Sequence, residues 1–388
     1  MNLVSTEQSP SPRRRWLILG SFLLAVLILA GGGLTCLRGR QPRLLASVPG
    51  KIIQLKATAA GLFWIEWADG GSSSASNSAL RCLARPGGSP ALLLQGCNLL
   101  RLDTEGNTLF VLEGGPRSPE ARRPYPQGRL LQMAASGGSP LLLLQGLVNP
   151  GDLWVDREAI YWTETYPTPA PPVTHVPPLQ YLTLIRTCPR SGGEARQVRL
   201  LAQVEGSEPT FQGQLLGVEE GFLYWLERRY LRGEEGTSFV RRVALSGGPV
   251  ETLAVSKGRQ TAAVGGSAVY CTAYSVEAAP PSAYWVVYRY PLTGADRQLL
   301  TDWLYSAGQL LWRESKLYYA DRNGLWQVPL RWGPPRQLDH QLMGARQVDV
   351  HAGFFYAARS GGQGPQASTQ VLRRPVALMA WIRNALER

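Results

Sequence analysis

The chain has 388 residues, 44% of them hydrophobic, which is enough for one large or two ordinary domains around a sizeable core. Its net charge is +12, carried by 36 Arg and 4 Lys against 28 acids. Such a surface favours anionic lipid or acidic polymers. Arg-rich codon usage accounts for the same balance, and basic residues do not interleave with aromatics beyond the N-terminus, so no nucleic-acid partner is expected.

The first 15 residues form a short tail ending in Arg13, Arg14 and Arg15. Residues 16–37, WLILGSFLLAVLILAGGGLTCL, carry no charge. At about 1.5 Å per helical residue they can cross a hydrocarbon core of about 30 Å. The length and the lack of a clear small-x-small site favour an uncleaved signal-anchor over a cleaved signal peptide, which is the alternative. Basic residues flank both ends. A short tail before a large distal domain favours a single-pass protein whose domain is extracytoplasmic, in the periplasm or at the cell surface, with a cytoplasmic domain as the alternative.

From there a repeat sets the pattern. AIYWTETY (159–166) has relatives in GLFWIEW (61–67), TLFVLEG (108–114), FLYWLER (222–228), AVYCTAY (268–274), KLYYADR (316–322) and GFFYAAR (353–359). The aromatic anchors are Phe63, Phe110, Tyr161, Tyr224, Tyr270, Tyr318 and Phe355, separated by 47, 51, 63, 46, 48 and 37 residues. Downstream of the first six anchors comes a strand, a Gly-containing turn and another strand, as in LLQMAASGGSPLLLLQG (130–146). A period in the forties with several short strands per unit predicts an all-β fold, a seven-bladed β-propeller of four-stranded blades, with six or eight blades as alternatives. Aromatics at seven equivalent positions are expected to fill the gaps between adjacent sheets rather than to form a ligand site.

The last blade has an anchor strand and STQVLRRPV (368–376) but no fourth strand. PRLLASVPG (42–50) matches the fourth-strand pattern of the other blades, so the propeller is expected to span 42–376, closed by its N-terminal strand. Residues 377–388 read as a short amphipathic C-terminal helix, either docked on the rim or interfacial.

Tyr161-Trp162-Thr163-Glu164 resembles the YWTD repeat of low-density-lipoprotein receptor propellers, and the wider pattern is similar to TolB-like bacterial propellers. Those families have six blades where seven are counted here, and the acid is missing from blades five and seven. The resemblance implies protein or peptide recognition rather than catalysis.

Length variation falls between the second and third strands of the blades, on connections that share one face. Tyr125, Tyr166, His175 and Tyr230 lie on these insertions and are the candidate contact residues. The three histidines, His175, His340 and His351, fall in different blades and form no HxH or HxxxH pair. No GxSxG elbow, P-loop or dinucleotide fingerprint occurs, so no enzyme activity, metal or cofactor is expected. The five cysteines lack CxxC spacing, and a Cys82–Cys97 pairing is out of hairpin register, so reduced, half-buried thiols are expected. The functional expectation is a membrane-anchored binding and scaffolding module for a protein, peptide or envelope polymer. The alternatives are an accessory subunit of a membrane complex and a lyase or hydrolase with a central-channel site. The sequence leaves the oligomeric state open.

Overall fold

The structure, a computed structural model, describes residues 43–67, 77–115, 126–168, 180–205, 211–229, 236–258, 260–275, 284–304, 308–321, 323–339, 345–361 and 368–375. Every regular element among them is a β-strand, and the strands form seven four-stranded antiparallel sheets. The segments read as a transmembrane helix (16–37) and a C-terminal helix (377–388) lie outside the described residues. Among the described residues, no helix is long and apolar enough to cross a membrane.

The chain opens with β1 (Arg43–Val48) and then builds blade one from β2 (Lys51–Thr58), β3 (Gly61–Trp67), β4 (Asn77–Leu83) and β5 (Ala91–Cys97). Blade two is β6 (Leu99–Glu105), β7 (Thr108–Glu113), β8 (Pro126–Ala134) and β9 (Leu141–Val148). Blade three is β10 (Pro150–Val155), β11 (Ala159–Thr168), β12 (Gln180–Pro189) and β13 (Arg196–Glu205). Blade four is β14 (Phe211–Glu219), β15 (Phe222–Arg229), β16 (Thr237–Ala244) and β17 (Glu251–Lys257). Blade five is β18 (Ala262–Val264), β19 (Ala268–Ser275), β20 (Tyr284–Pro291) and β21 (Gln298–Leu304). Blade six is β22 (Gln309–Arg313), β23 (Lys316–Asp321), β24 (Gly324–Val328) and β25 (Arg336–Asp339). Blade seven is β26 (Ala345–His351), β27 (Phe354–Gly361) and β28 (Ser368–Pro375), and its fourth strand is β1, which pairs with β28 from Arg43 opposite Arg373 to Val48 opposite Thr369. The first strands of successive blades touch one another all the way round, β26 against β2 included, so the ring is closed.

Each blade interface is an apolar cluster built from two sides of the repeat. In blades one to six the first aromatic of the repeat faces the next blade. Phe63 packs with Leu102 and Leu109 of blade two, and Tyr224 packs with Val269 and Cys271 of blade five. The following residue faces backward: Trp162 packs with Phe110 and Leu130 of blade two, and Trp225 with Tyr161 and Ile185 of blade three. Alternation along a strand is what sends neighbours to opposite faces. Trp64, Trp162 and Trp225 are almost wholly buried, which makes these interfaces the hydrophobic core of the protein.

Blade seven departs from this. Phe355 faces backward, edge-on to Tyr318 at 5.1 Å between ring centroids, and lies in the cluster between blades six and seven. Tyr356 instead packs with the cluster shared with blade one. The repeat is therefore offset by one residue in this blade, and Tyr356, not Phe355, is its forward-facing anchor. A one-residue slip exchanges the two faces of a strand.

Cys82, Cys188 and Cys271 are free and fully buried in these clusters rather than half-buried. Asn77 pairs with Cys97 and Cys82 with Ala91, so the two cysteines are out of register. Burial pushes the Cys188 thiol up to about 11 and raises Cys82 and Cys271 as well. A thiol held protonated by folding adds stability below its ordinary range, and that contribution is lost as pH climbs toward the raised value. With an aromatic disulfide reagent near neutral pH, these three thiols are expected to stay unreactive until denaturant is added. Rapid labelling in the native protein would contradict the packing.

Candidate functional site

In a four-stranded antiparallel blade the second strand ends, and the third begins, on the face where the chain also passes to the next blade. The first-to-second and third-to-fourth turns lie on the opposite face. The long connections, 68–76, 114–125, 169–179, 230–236, 276–283 and 362–367, therefore all leave from one face, hereafter the looped face. Blade six has only a short turn there, in which the Asn323 amide donates to Asp321 Oδ1 at 2.9 Å.

The rim of this face is built by the acid that ends the repeat. Glu66, Glu113, Glu164 and Glu227 are all buried, at 7%, 2%, 2% and 0% exposure, a burial that demands partners for each charge. Each has an arginine from the third strand of its own blade: Arg81 at 2.6 Å, Arg129, Arg186 at 3.4 Å and Arg241 at 3.3 Å. In blades one, three and four that arginine stands opposite the tryptophan two residues before the acid in the strand register. The Trp162 indole donates to Glu164 Oε1 at 2.7 Å, and the Trp64 indole to Glu66 Oε2 at 3.4 Å. Blade six reverses the layout, with the Trp326 indole on the third strand donating to Asp321 Oδ1 at 3.2 Å.

Tyr166 belongs to the blade-three clamp. It sits in β11 with its hydroxyl donating to Glu164 Oε2 at 2.5 Å and accepting from Arg186 Nη2 at 3.0 Å. Burial and this bond to the carboxylate raise its pKa. The Val148 amide, on the strand leading in from blade two, also donates to Glu164 Oε2 at 3.1 Å. Tyr125, His175 and Tyr230 lie outside the described residues.

A second set of charges lines the inner strands. Lys56 in blade one meets Asp103 of blade two at 2.6 Å, and Asp103 Oδ2 accepts the Val155 amide of blade three at 2.8 Å. Arg101 of blade two meets Asp152 of blade three at 2.8 Å, and Asp152 Oδ2 accepts the Leu215 amide of blade four at 2.7 Å. Arg313 of blade six meets Asp349 of blade seven at 2.9 Å, and Asp349 Oδ2 accepts the Ala57 amide of blade one at 2.9 Å. Each aspartate thus ties three consecutive blades, one oxygen to a cation behind and one to a backbone amide ahead. Neither these aspartates nor the clamp arginines were singled out from the sequence. The arginine left a signal, recurring before the third-strand turn in LRCLA, IRTCP and VRRVA. Among the described residues, no group of three or more His, Cys, Asp or Glu is placed to hold a metal ion.

No family model matches this chain, and no curated protein sequence does. Solved structures do. An acylaminoacyl peptidase in complex with Z-Gly-Gly-Phe-chloromethyl ketone aligns with a TM-score of 0.57 at 10% identity, over 86% of this chain and 53% of that one. The uncomplexed acylaminoacyl peptidase of Pyrococcus horikoshii gives 0.54 at 10% identity, over 86% and 54%. The polysaccharide lyase Uly1 gives 0.52 at 8% identity, over 83% and 89%. The shared feature is the fold. The chain spans about half the length of the acylaminoacyl peptidases it matches. The likeness to YWTD and TolB-like repeats rests on the repeat residues alone.

Proposed function

We propose that this chain is a membrane-anchored, extracytoplasmic recognition and scaffolding module. In this reading residues 16–37 hold it in the membrane and its looped face binds a protein, a peptide or an envelope polymer. One observation carries the reading. The buried carboxylates of the repeat are committed to arginines of their own blades and the inner-strand aspartates to ties between blades, while the strand ends that bound the chain's long insertions all lie on a single face. Rigid scaffold on one side and variable connections on the other is the arrangement in which binding resides. Tyr125, His175 and Tyr230 enter as contact residues on the insertions of blades two, three and four. Tyr166, fixed by Glu164 and Arg186, is the platform from which the blade-three insertion departs.

The neighbouring peptidases and lyase raise the question of a channel-centred enzyme. The inner-strand pairs Lys56–Asp103, Arg101–Asp152 and Arg313–Asp349 favour the structural use of those charges. The test replaces residues 169–179 by a short turn like that of blade six and quantifies, by mass spectrometry, what co-purifies with the full-length protein in mild detergent. Loss of a stoichiometric partner with unchanged thermal stability supports recognition. An unchanged partner level points to a subunit held elsewhere on the surface and contradicts this use of the looped face.

A further inference from the structure

The face opposite the looped one has an asymmetric edge, and it is the edge where the N-terminal segment arrives. β1 starts at Arg43 beside the end of β28, on the tight-turn side of blade seven. A Cβ placed on Gly87, in the third-to-fourth turn of blade one, would lie 3.1 Å from the Arg43 guanidinium, which fixes the two as neighbours. Leu93 meets Gly137 in the same way one blade further on. Only residues 38–42 separate the apolar segment from β1. Five residues span about 17 Å when fully extended. A blade is about 25 Å tall. The apolar segment therefore cannot reach around from the looped face.

The exposed apolar side chains gather at this same end. Leu44, Leu92, Leu141 and Leu142 sit in the first two residues of outer strands, and Leu330 and Trp332 sit in the blade-six turn. Trp332 is 68% exposed, an unusual position for an indole unless something covers it. Leu245 lies at this end on blade four, and Val255 is toward the looped end. On the arc from blade six through blade two, the outer turns 84–90, 135–140 and 329–335 hold no acid, and Arg43, Arg85 and Arg331 are exposed along it. The acids of this end lie elsewhere. Glu194, Glu251 and Asp296 are at the outer turns of blades three, four and five, and Glu105, Asp156, Glu158, Glu219, Glu220 and Glu314 are on inner turns nearer the axis, those of Glu105 and Glu314 belonging to blades two and six. Leucine, tryptophan and arginine without acid is the composition of a membrane interface.

Building on the anchored reading above, we infer that the outer tight-turn edge of blades six, seven, one and two rests on a bilayer surface rich in anionic headgroups. The propeller is then tilted onto this edge, and the looped face points away from the membrane.

The test uses the full-length protein reconstituted into vesicles of phosphatidylcholine and phosphatidylglycerol, with and without bromine-labelled acyl chains. Vesicles are first floated after an alkaline wash, and tryptophan quenching is then compared between the wild type and Trp332→Phe. Trp16 contributes equally to both, so the difference isolates Trp332. The expected result is retention on the vesicles and a clear loss of quenching in Trp332→Phe, with none in Trp67→Phe or Trp285→Phe, whose indoles lie toward the looped end. Retention with quenching unchanged in Trp332→Phe, or lost in Trp285→Phe, overturns the orientation and leaves the anchor standing. Failure to float overturns the anchor and the edge contact together.

Discussion

Replacing Glu164 by alanine is expected to destabilise the propeller by about 3 kcal/mol, at the lower end of the range for removing one partner of a buried ion pair. The carboxylate receives the Trp162 indole, the Tyr166 hydroxyl, the Val148 amide and Arg186. Alanine leaves the Trp162 donor inside the protein without an acceptor. Arg186 is 26% exposed and turns to water, which keeps the cost below that of two stranded charges. Glu164→Gln keeps an acceptor for the indole and is expected to lose about half as much. Chemical denaturation in mild detergent measures this, with Glu251→Ala as reference. Glu251 is 47% exposed where it meets the 14%-exposed Arg242, which also donates to the Leu292 carbonyl, so a change of about 0.5 kcal/mol or less is expected. A Glu164→Ala effect no larger than that of Glu251→Ala would remove the clamp from the account.

Asp349→Ala is expected to cost about 3 kcal/mol as well, but with a regional signature. Asp349 joins Arg313 of blade six to the Ala57 amide of blade one across blade seven, the blade completed by β1. Without it the ring loses a tie at the blade that β1 completes. Amide exchange is expected to accelerate first in β1, β2 and β28, while blades three and four keep their protection. Asp349→Asn retains an acceptor for Ala57 and should fall between the wild type and alanine. Acceleration confined to β26, β27 and β28 would show that Asp349 supports blade seven alone rather than the closure, and uniform acceleration around the ring would contradict the regional signature.

The number of blades was legible because the repeat is aromatic. Seven buried rings at near-regular spacing carry their own register, and the fourth-strand pattern of residues 42–50 was recognisable from its likeness to the other outer strands. What failed was fine register. Phe355 and Tyr356 are both aromatic, so nothing local says which of them faces forward, and only packing against Tyr318 decides it. Tyr166, expected on the blade-three insertion, also lies in the sheet. Tyr166 to Thr168 and Gln180 continue the ladder between β11 and β12, because strand pairing extends over a Pro-containing stretch whose composition suggested loop. The inner aspartates were invisible for a different reason. Asp103 and Asp349 sit among other polar residues in LLRLDTE and ARQVDVH, and their partners come from other blades, far away in sequence. Of the four candidate contact residues, Tyr166 falls in a strand, and its hydroxyl is held by Glu164, two residues back on the same strand face, and by Arg186 of the neighbouring strand.

The most direct measurement of the central claim is native mass spectrometry of the full-length protein extracted from its own membrane in mild detergent. A recognition module is expected to appear with a bound partner at fixed stoichiometry, released when the looped-face insertions are shortened. A stable, partner-free monomer across detergents would contradict that claim and bring a small-molecule ligand or a channel-centred activity forward in its place.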